Sequence, residues 1–185
     1  MTVFPFMPIV SAVEVVGSVT LSSSGPFVVP DGITSLRVTL GGGSGGQSGT
    51  ATAVGSLESA TGRSASGGSG ASVYQSNLVV TPNETLYFTA GAYGGTGASQ
   101  IKYGDGIQAV GQAGGNGGTA TLTRGGSVLM SAGGGYGAGV SIAGTSGAGY
   151  AYSYDSAAGS PSSTGSGGVV TTGGSNGTCL IAWGP

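Results

Sequence analysis

Residues 24–49 read SGPFVVPDGITSLRVTLGGGSGGQSG, and this stretch sets the pattern of the whole chain. Leu36, Val38 and Leu40 alternate with polar or charged residues, which is the period of a strand with one buried face. Residues 30–32, Pro-Asp-Gly, form a turn signal before it, because proline fixes φ and glycine accepts positive φ. The nine residues that close the stretch hold six glycines. The predicted unit is therefore a strand that leads into a glycine run.

The glycine runs have a period of three. Glycines recur at every third position in three bursts, which are Gly43, Gly46 and Gly49; Gly91, Gly94 and Gly97; and Gly111, Gly114 and Gly117. A polyproline-II-type helix has three residues per turn and no internal hydrogen bonds. Each burst can therefore present a glycine edge to a neighbouring burst and satisfy its backbone across the gap. The alternative is that the bursts are flexible loops between strands.

The composition favours an ordered chain with an unusual use of glycine. Glycine fills 43 of 185 positions, and only 5% of the residues are charged. Glycine inside regular structure costs about 0.5–1 kcal/mol relative to alanine, so this content indicates close backbone approach that alanine would block. Apolar residues in strand-like runs and the low charge favour order over disorder. We expect an all-β fold: a small antiparallel β-sandwich-like domain, glycine-rich loops packed as polyglycine-II-type helices, and almost no α-helix.

The strands can be placed approximately along the chain. We expect a strand within residues 13–21, a loop at 50–72, two short strands within 99–110 and a closing apolar strand at 178–183. Residues 72–80 and 85–90 are expected to form a hairpin across the Pro82 turn, and residues 119–123 and 127–131 a second one. The turn Gly125-Gly126 suits the second hairpin, because a tight primed turn needs positive φ. The domain is expected to span 24–185, after a docking segment or strand at 1–23.

The residue types argue against an enzyme. The chain has no histidine, which removes the usual general base and the histidine-dependent nucleophile and metal sites. Gly41, Gly43 and Gly46 match a dinucleotide-binding pattern, but no helix pattern follows them. Asp105 and Asp155 stay open as a carboxylate pair, although turn chemistry beside glycines explains both. We expect no catalytic residue, no cofactor and no metal site.

Charge and hydropathy limit the partners. The four basic residues are scattered singly and the net charge is −2, so no nucleic-acid or anionic-membrane footprint is present. No apolar run reaches the length of a membrane span, and the N-terminus lacks a basic signal-peptide region. Cys179 is the single cysteine, which excludes an intrachain disulfide and indicates a small core residue.

Two groups of residues are candidates for contact with partners. Four tyrosines lie in glycine- and serine-rich sequence, Tyr136, Tyr150, Tyr152 and Tyr154, and this is the composition of recognition loops. The alternative for the last three is a strand whose rings pack over a glycine-rich surface. The apolar N-terminus carries Phe4, Phe6, Met7 and Ile9, which are expected to fill a groove on another protein. A disordered tail is the alternative there.

Three stretches resemble the glycine-rich domain of bacteriophage tail-fibre and tail-tip proteins. These are FVVPDGITSLRVTLGGGSGG, SGASVYQSNLVVTPNETLYFTAGAYGGTG and the closing GGSNGTCLIAWGP, and their order matches as well as their composition. The resemblance covers roughly residues 24–185. Asn83 stands where the family usually has glycine, and no aromatic residue precedes the first glycine run. Asparagine tolerates positive φ, so the fold should survive the first departure.

The resemblance implies a virion protein, made in the host cytoplasm without a signal peptide. Its leading implied role is a tail-fibre or tail-tip adhesin whose outward loops bind a host surface glycan or an outer-membrane protein. The N-terminal segment would then bind other virion proteins, and analogy with fibres suggests a homo-oligomer, a trimer. The alternatives are a head fibre or capsid decoration protein with a purely structural role and, more remotely, an ice- or surface-binding glycine-rich protein.

Overall fold

The computed structural model describes residues 16–55, 59–143, 155–156 and 175–184. Within these ranges the protein is all-β, with no helix and several small sheets packed together. The strands are β1 (Gly17–Leu21), β2 (Gly25–Val28), β3 (Ser35–Gly41), β4 (Ala51–Val54), β5 (Ser59–Gly62), β6 (Ser72–Val79), β7 (Thr85–Thr89), β8 (Gln100–Tyr103), β9 (Ala109–Gly111), β10 (Ala120–Arg124), β11 (Ser127–Ala132), β12 (Ser141–Ala143), β13 (Asp155–Ser156) and β14 (Thr178–Trp183).

Two four-stranded antiparallel sheets form a sandwich. Their strand orders are β1-β14-β3-β6 and β11-β10-β7-β2. The alternating residues of each strand place apolar side chains between the sheets, where they exclude water and supply the main folding energy. This core consists of Phe27, Val29, Leu36, Val38, Leu40, Leu78, Val80, Leu86, Phe88, Ala120, Leu122, Met130, Ala132, Cys179 and Ile181. The predicted closing strand and the core position of Cys179 are both confirmed.

The two predicted hairpins have different outcomes. β10 and β11 pair through a turn in which Gly125 and Gly126 have φ of 53° and 86°, which confirms the second hairpin. The hairpin across Pro82 is wrong, because β6 pairs with β3 while β7 pairs with β2 and β10 in the other sheet. β6 and β7 lie in different sheets and bury their apolar residues against the core from opposite sides. The turn at Pro82 therefore connects the two sheets. Asn83 in that turn has a φ of 64°, as its tolerance of positive φ allowed.

In the part of the chain that the structure describes, the glycine-rich segments leave the sandwich and return to it as six extended runs. Run 1 (residues 42–49), run 3 (91–98) and run 5 (133–138) follow β3, β7 and β11. Run 2 (65–71), run 4 (112–118) and run 6 (175–177) precede β6, β10 and β14. The runs therefore alternate between outgoing and returning directions beside one end of the sandwich.

Run 1 lies at the centre and hydrogen-bonds to all five other runs. Its amides donate to run 2 and run 4 at every third residue: Gly42, Gly45 and Ser48 to Ala71, Gly68 and Ala65, and Gly43, Gly46 and Gly49 to Gly118, Gly115 and Gln112, all at 2.8–3.0 Å. Ser44 donates to Ser175 of run 6, and run 1 carbonyls accept amides from run 3 and run 5. The period of three predicted from the sequence is thus the repeat of this polyglycine-II-type bundle.

The glycines at the contacts are required by close approach. A Cβ on Gly43, Gly46 or Gly49 would overlap carbonyl oxygens of run 3, and one on Gly114 would overlap the carbonyl of Gly46. These obstacles are backbone atoms, which cannot rotate away as a side chain can. Alanine would therefore force the runs apart, which explains why so many positions carry glycine despite its entropic cost.

Asparagine side chains supply acceptors at the margin of the bundle. The Oδ1 atom of Asn116 accepts the amide of Gly137 at 2.9 Å, and that of Asn176 accepts the amide of Tyr93 at 2.8 Å. Each Oδ1 atom accepts a hydrogen bond that the backbone carbonyl of a neighbouring run would otherwise accept. These side chains therefore complete the backbone hydrogen bonding at the margin of the described bundle.

Asn116→Ala should lower the free energy of unfolding by about 1 kcal/mol, because the Gly137 amide loses its protein acceptor. Urea unfolding followed by tryptophan fluorescence measures this. The matched control is Asn77→Ala on the exposed side of β6, which should change stability by less than about 0.5 kcal/mol. Equal effects of the two substitutions would contradict the role given to Asn116.

The far end of the bundle carries two small sheets, which we call the tip. Their strand orders are β5-β4-β8 and β13-β12-β9. The expectation of a loop at 50–72 is wrong, since β4 and β5 form an antiparallel pair there. Their alanine and glycine residues hid the strands, because both residue types are weak strand formers. The two short strands expected within 99–110 are present as β8 and β9.

The chain enters at the end of the sandwich opposite to the tip, which we call the base. β14 leaves the bundle at Thr178, which pairs with Gly41, and reaches Trp183, which pairs with Gly17 at the start of β1. Residues 1–15 therefore join the described protein at the base. Sandwich, bundle and tip follow one another along a single axis.

Candidate binding surface at the tip

The outward side of sheet β5-β4-β8 brings six side chains together. Thr52 pairs with Thr61 on one side and with Ile101 on the other, and Val54 pairs with Ser59 and Tyr103 in the same way. Paired residues of neighbouring strands lie on the same face of a sheet. We call this surface the tip face; it consists of Thr52, Val54, Ser59, Thr61, Ile101 and Tyr103.

The inward side of the same sheet is closed by alanine. Ala51, Ala53 and Ala60 are buried with Ala109 and Ala143 in a second small core between the two tip sheets. Alanine at these positions lets the sheets lie close together. Large side chains are consequently absent from the inner side of β4 and β5, and the large side chains of this sheet's outer side, Ile101 and Tyr103, are on β8.

Two apolar side chains of the tip face are strongly exposed. Tyr103 is 76% exposed and Ile101 is 59% exposed, both on β8 at the edge of the sheet. Single exposed apolar side chains are common, but neighbouring ones rimmed by polar residues often mark a contact surface. These two side chains are the strongest indication of a contact surface at this end of the described protein.

Hydrogen bonds fix the position of β8, the strand that carries Ile101 and Tyr103. The side chain of Gln100 accepts the amide of Val110 at 2.9 Å, and the amide of Gly104 donates to the carbonyl of Val54 at 2.9 Å. Ser99 accepts both the amide and the hydroxyl of Thr50, at 3.0 and 2.9 Å. Tyr103 therefore projects from a fixed strand, and little backbone freedom would be lost when a ligand binds.

The tip face itself is uncharged. None of its six residues is an acidic or basic residue type, while the nearby cations Lys102 and Arg63 are exposed outside it. Lys102 pairs with the buried Ala53, which places it on the other side of the sheet. In the described ranges, no three side chains of His, Cys, Asp or Glu are grouped as a metal site would require. The surface can offer apolar contact and hydroxyl hydrogen bonds.

The residues selected from the sequence are not at this face. Tyr136 is 52% exposed and lies in run 5, on the side of the bundle. Tyr150, Tyr152 and Tyr154 lie outside the described residues, as do Phe4, Phe6, Met7 and Ile9. The contact roles of these seven residues stay predictions.

Sequence reasoning did not select Tyr103 or Ile101. The two residues alternate in QIKY, which is a strand signal, but the stretch around them was notable mainly for its polarity. Their exposure follows from the edge position of β8 and from its pairing with β4, about fifty residues earlier in the chain. A local pattern contains neither fact.

Comparison with known proteins returned no matching family model and no matching curated relative. The described ranges contain no helix with the length and hydrophobicity that crossing a bilayer demands. The assignment of a function therefore depends on the resemblance in sequence and on the geometry above.

Proposed function

We propose that this is a non-enzymatic bacteriophage virion protein, most specifically a tail-fibre or tail-tip adhesin that contacts the host surface through its tip. The observation that carries the proposal is the axial order of base, bundle and tip. The N-terminal segment joins the base, and the most exposed aromatic side chain of the described residues, Tyr103, lies at the other end. An adhesin needs this separation between its attachment end and its contact end.

The bundle supports the proposal because it is a suitable spacer. Run 1 is hydrogen-bonded on all sides, so the tip is fixed to the sandwich through backbone contacts rather than through a single flexible linker. A rigid spacer holds the contact surface away from the particle. Because backbone hydrogen bonds hold the bundle together, it needs no charged side chains. This agrees with a chain that has ten charged side chains among 185 residues.

Attachment to the particle is assigned to the N-terminal segment. Its apolar side chains Phe4, Phe6, Met7 and Ile9 would enter a groove on another virion protein, since they precede β1 at the base. The host-facing partner is a surface glycan or an outer-membrane protein. No nucleic acid and no cofactor takes part.

Electron microscopy of purified particles with a gold-labelled antibody against this protein tests the proposal. Label at the tail end supports the adhesin. Label spread over the head would replace it with the head-fibre or capsid-decoration role, in which no receptor is bound. Particles without label would exclude every virion role.

A further inference from the structure

The tip face has a chemistry that narrows the ligand class. We propose that it binds an uncharged saccharide, with Tyr103 stacked on the face of a sugar ring; this rests on the proposed adhesin function. Three hydroxyl side chains, Thr52, Ser59 and Thr61, lie together toward β5, and the apolar groups of Val54, Ile101 and Tyr103 lie beside them toward β8. The face therefore has a hydroxyl-bearing side and an apolar side, which meet on β4.

An apolar area beside hydroxyl groups matches the surface of a pyranose ring. Such a ring has C–H groups on its faces and hydroxyl groups around its edge, so it needs an apolar plane beside hydrogen-bonding groups. The Tyr103 ring offers the plane, and its exposure leaves that plane accessible. Thr52 and Thr61 have their hydroxyl oxygens 3.4 Å apart, and each retains capacity to bond a ligand hydroxyl.

The size of the face favours a saccharide over a protein surface. Three strands of four residues, with a spacing of about 4.8 Å and a rise of about 3.3 Å per residue, cover on the order of 200 Å². A stable protein–protein interface buries about 800 Å² on each partner. The face fits two or three sugar units and is too small for a protein interface of ordinary size.

The electrostatics favour a neutral ligand. An anionic polysaccharide would need a cation beside Tyr103, but Lys102 lies on the opposite side of its strand, and Arg63 follows the last paired residue of β5 at the other edge of the sheet. Binding at the tip face would desolvate no charge. Its affinity should consequently change less than about twofold between 50 and 500 mM NaCl, because only charged contacts are screened by salt.

The test is binding of the purified protein to an immobilised panel of neutral and anionic bacterial polysaccharides, measured at both salt concentrations. We expect binding to neutral members with little dependence on salt. Tyr103→Ala should weaken this binding about tenfold or more, as loss of a central aromatic contact does. Tyr103→Phe should retain most of it, because the ring remains.

The matched control is Tyr74→Ala, which removes a similarly exposed tyrosine from β6 in the sandwich. It should leave binding unchanged, and circular dichroism should show that every variant is folded. Binding only to anionic polysaccharides with a steep salt dependence would overturn the proposal. So would the absence of binding to every polysaccharide, or equal losses for Tyr74→Ala and Tyr103→Ala.

Binding of the protein to whole bacteria distinguishes a failure of this inference from a failure of the proposed function. On the strain that propagates the particles, periodate oxidation of cell-surface sugars should abolish binding of the protein, and protease treatment should leave it intact. Binding that is lost after protease treatment and kept after periodate oxidation would overturn the saccharide proposal, while the proposed adhesin function would stand. If the protein does not bind untreated cells and the gold-labelled antibody marks the head of the particle, the proposed adhesin function is itself wrong.

Discussion

Gly46→Ala is expected to lower the free energy of unfolding by about 3 kcal/mol or more. Gly46 lies in run 1, where an added Cβ would overlap the carbonyl oxygens of Gly94 and Gly95. Its own amide donates to Gly115 at 2.8 Å and its carbonyl accepts Ala138 at 3.0 Å, so run 1 cannot shift without breaking other bonds. Overpacking alone typically costs about 1–3 kcal/mol, and the lost hydrogen bonds add to this cost. Urea unfolding monitored by fluorescence and far-UV circular dichroism measures the effect.

Gly95→Ala is the matched control in the facing run. No atom lies within 4 Å of a Cβ built at Gly95, and its φ is not in the left-handed region. Alanine there should stabilise the protein by about 0.4–1 kcal/mol, because it restricts the unfolded chain. If the runs were flexible loops, alanine would not lower the free energy of unfolding at Gly46 and raise it at Gly95. Similar small effects at both positions would contradict the packed bundle.

Raising the pH above 9 should destabilise the protein through Cys179. Burial raises the pKa of this thiol from 9.0 to about 12. Below pH 9 the thiol is neutral in both states, so its contribution is fully present. Between pH 9 and 12 the unfolded thiol ionises and the folded one does not, so stability falls as pH rises. The limiting slope is about 1.4 kcal/mol per pH unit, which gives a loss of about 2 kcal/mol by pH 10.5.

Cys179→Ala isolates the contribution of this thiol to the pH dependence of stability. The variant loses a constant amount of packing energy, so its free energy of unfolding should approach the wild-type value as pH rises from 8 to 10.5. Denaturant titrations at a series of pH values give the difference directly. A difference that stays constant with pH would show that the Cys179 thiol is not shielded from water. Native protein should also react very slowly with thiol reagents.

The sequence predicts the fold class because the governing patterns are local. Leu36, Val38 and Leu40 alternate within one strand, and the glycine period of three belongs to single runs. Gly125-Gly126 specifies its own turn. Each of these signals depends on residues a few positions apart, and each corresponds to a feature of the structure.

The partners of each element could not be predicted in the same way. The turn at Pro82 is compatible with a hairpin and with a crossing between sheets. β2 and β10 occupy both edges of β7, which leaves no edge for β6. β4 and β8 pair in parallel across about fifty residues, and no local pattern encodes that register. The tip face is a product of that pairing, so its residues were recognised only in the structure.

Residue-resolved amide hydrogen exchange tests the central claim that the glycine runs form one hydrogen-bonded bundle. The amides of Gly43, Gly46 and Gly49 donate to run 4 and should exchange about a thousandfold or more slowly than in an unfolded peptide, as slowly as Val38 and Ile181 in the core strands. Such protection would establish the bundle as part of the folded unit that joins base to tip. Exchange of these three amides at the rate of free peptides, with the strands still protected, would show that the runs are loops and would remove the rigid spacer on which the proposed function depends.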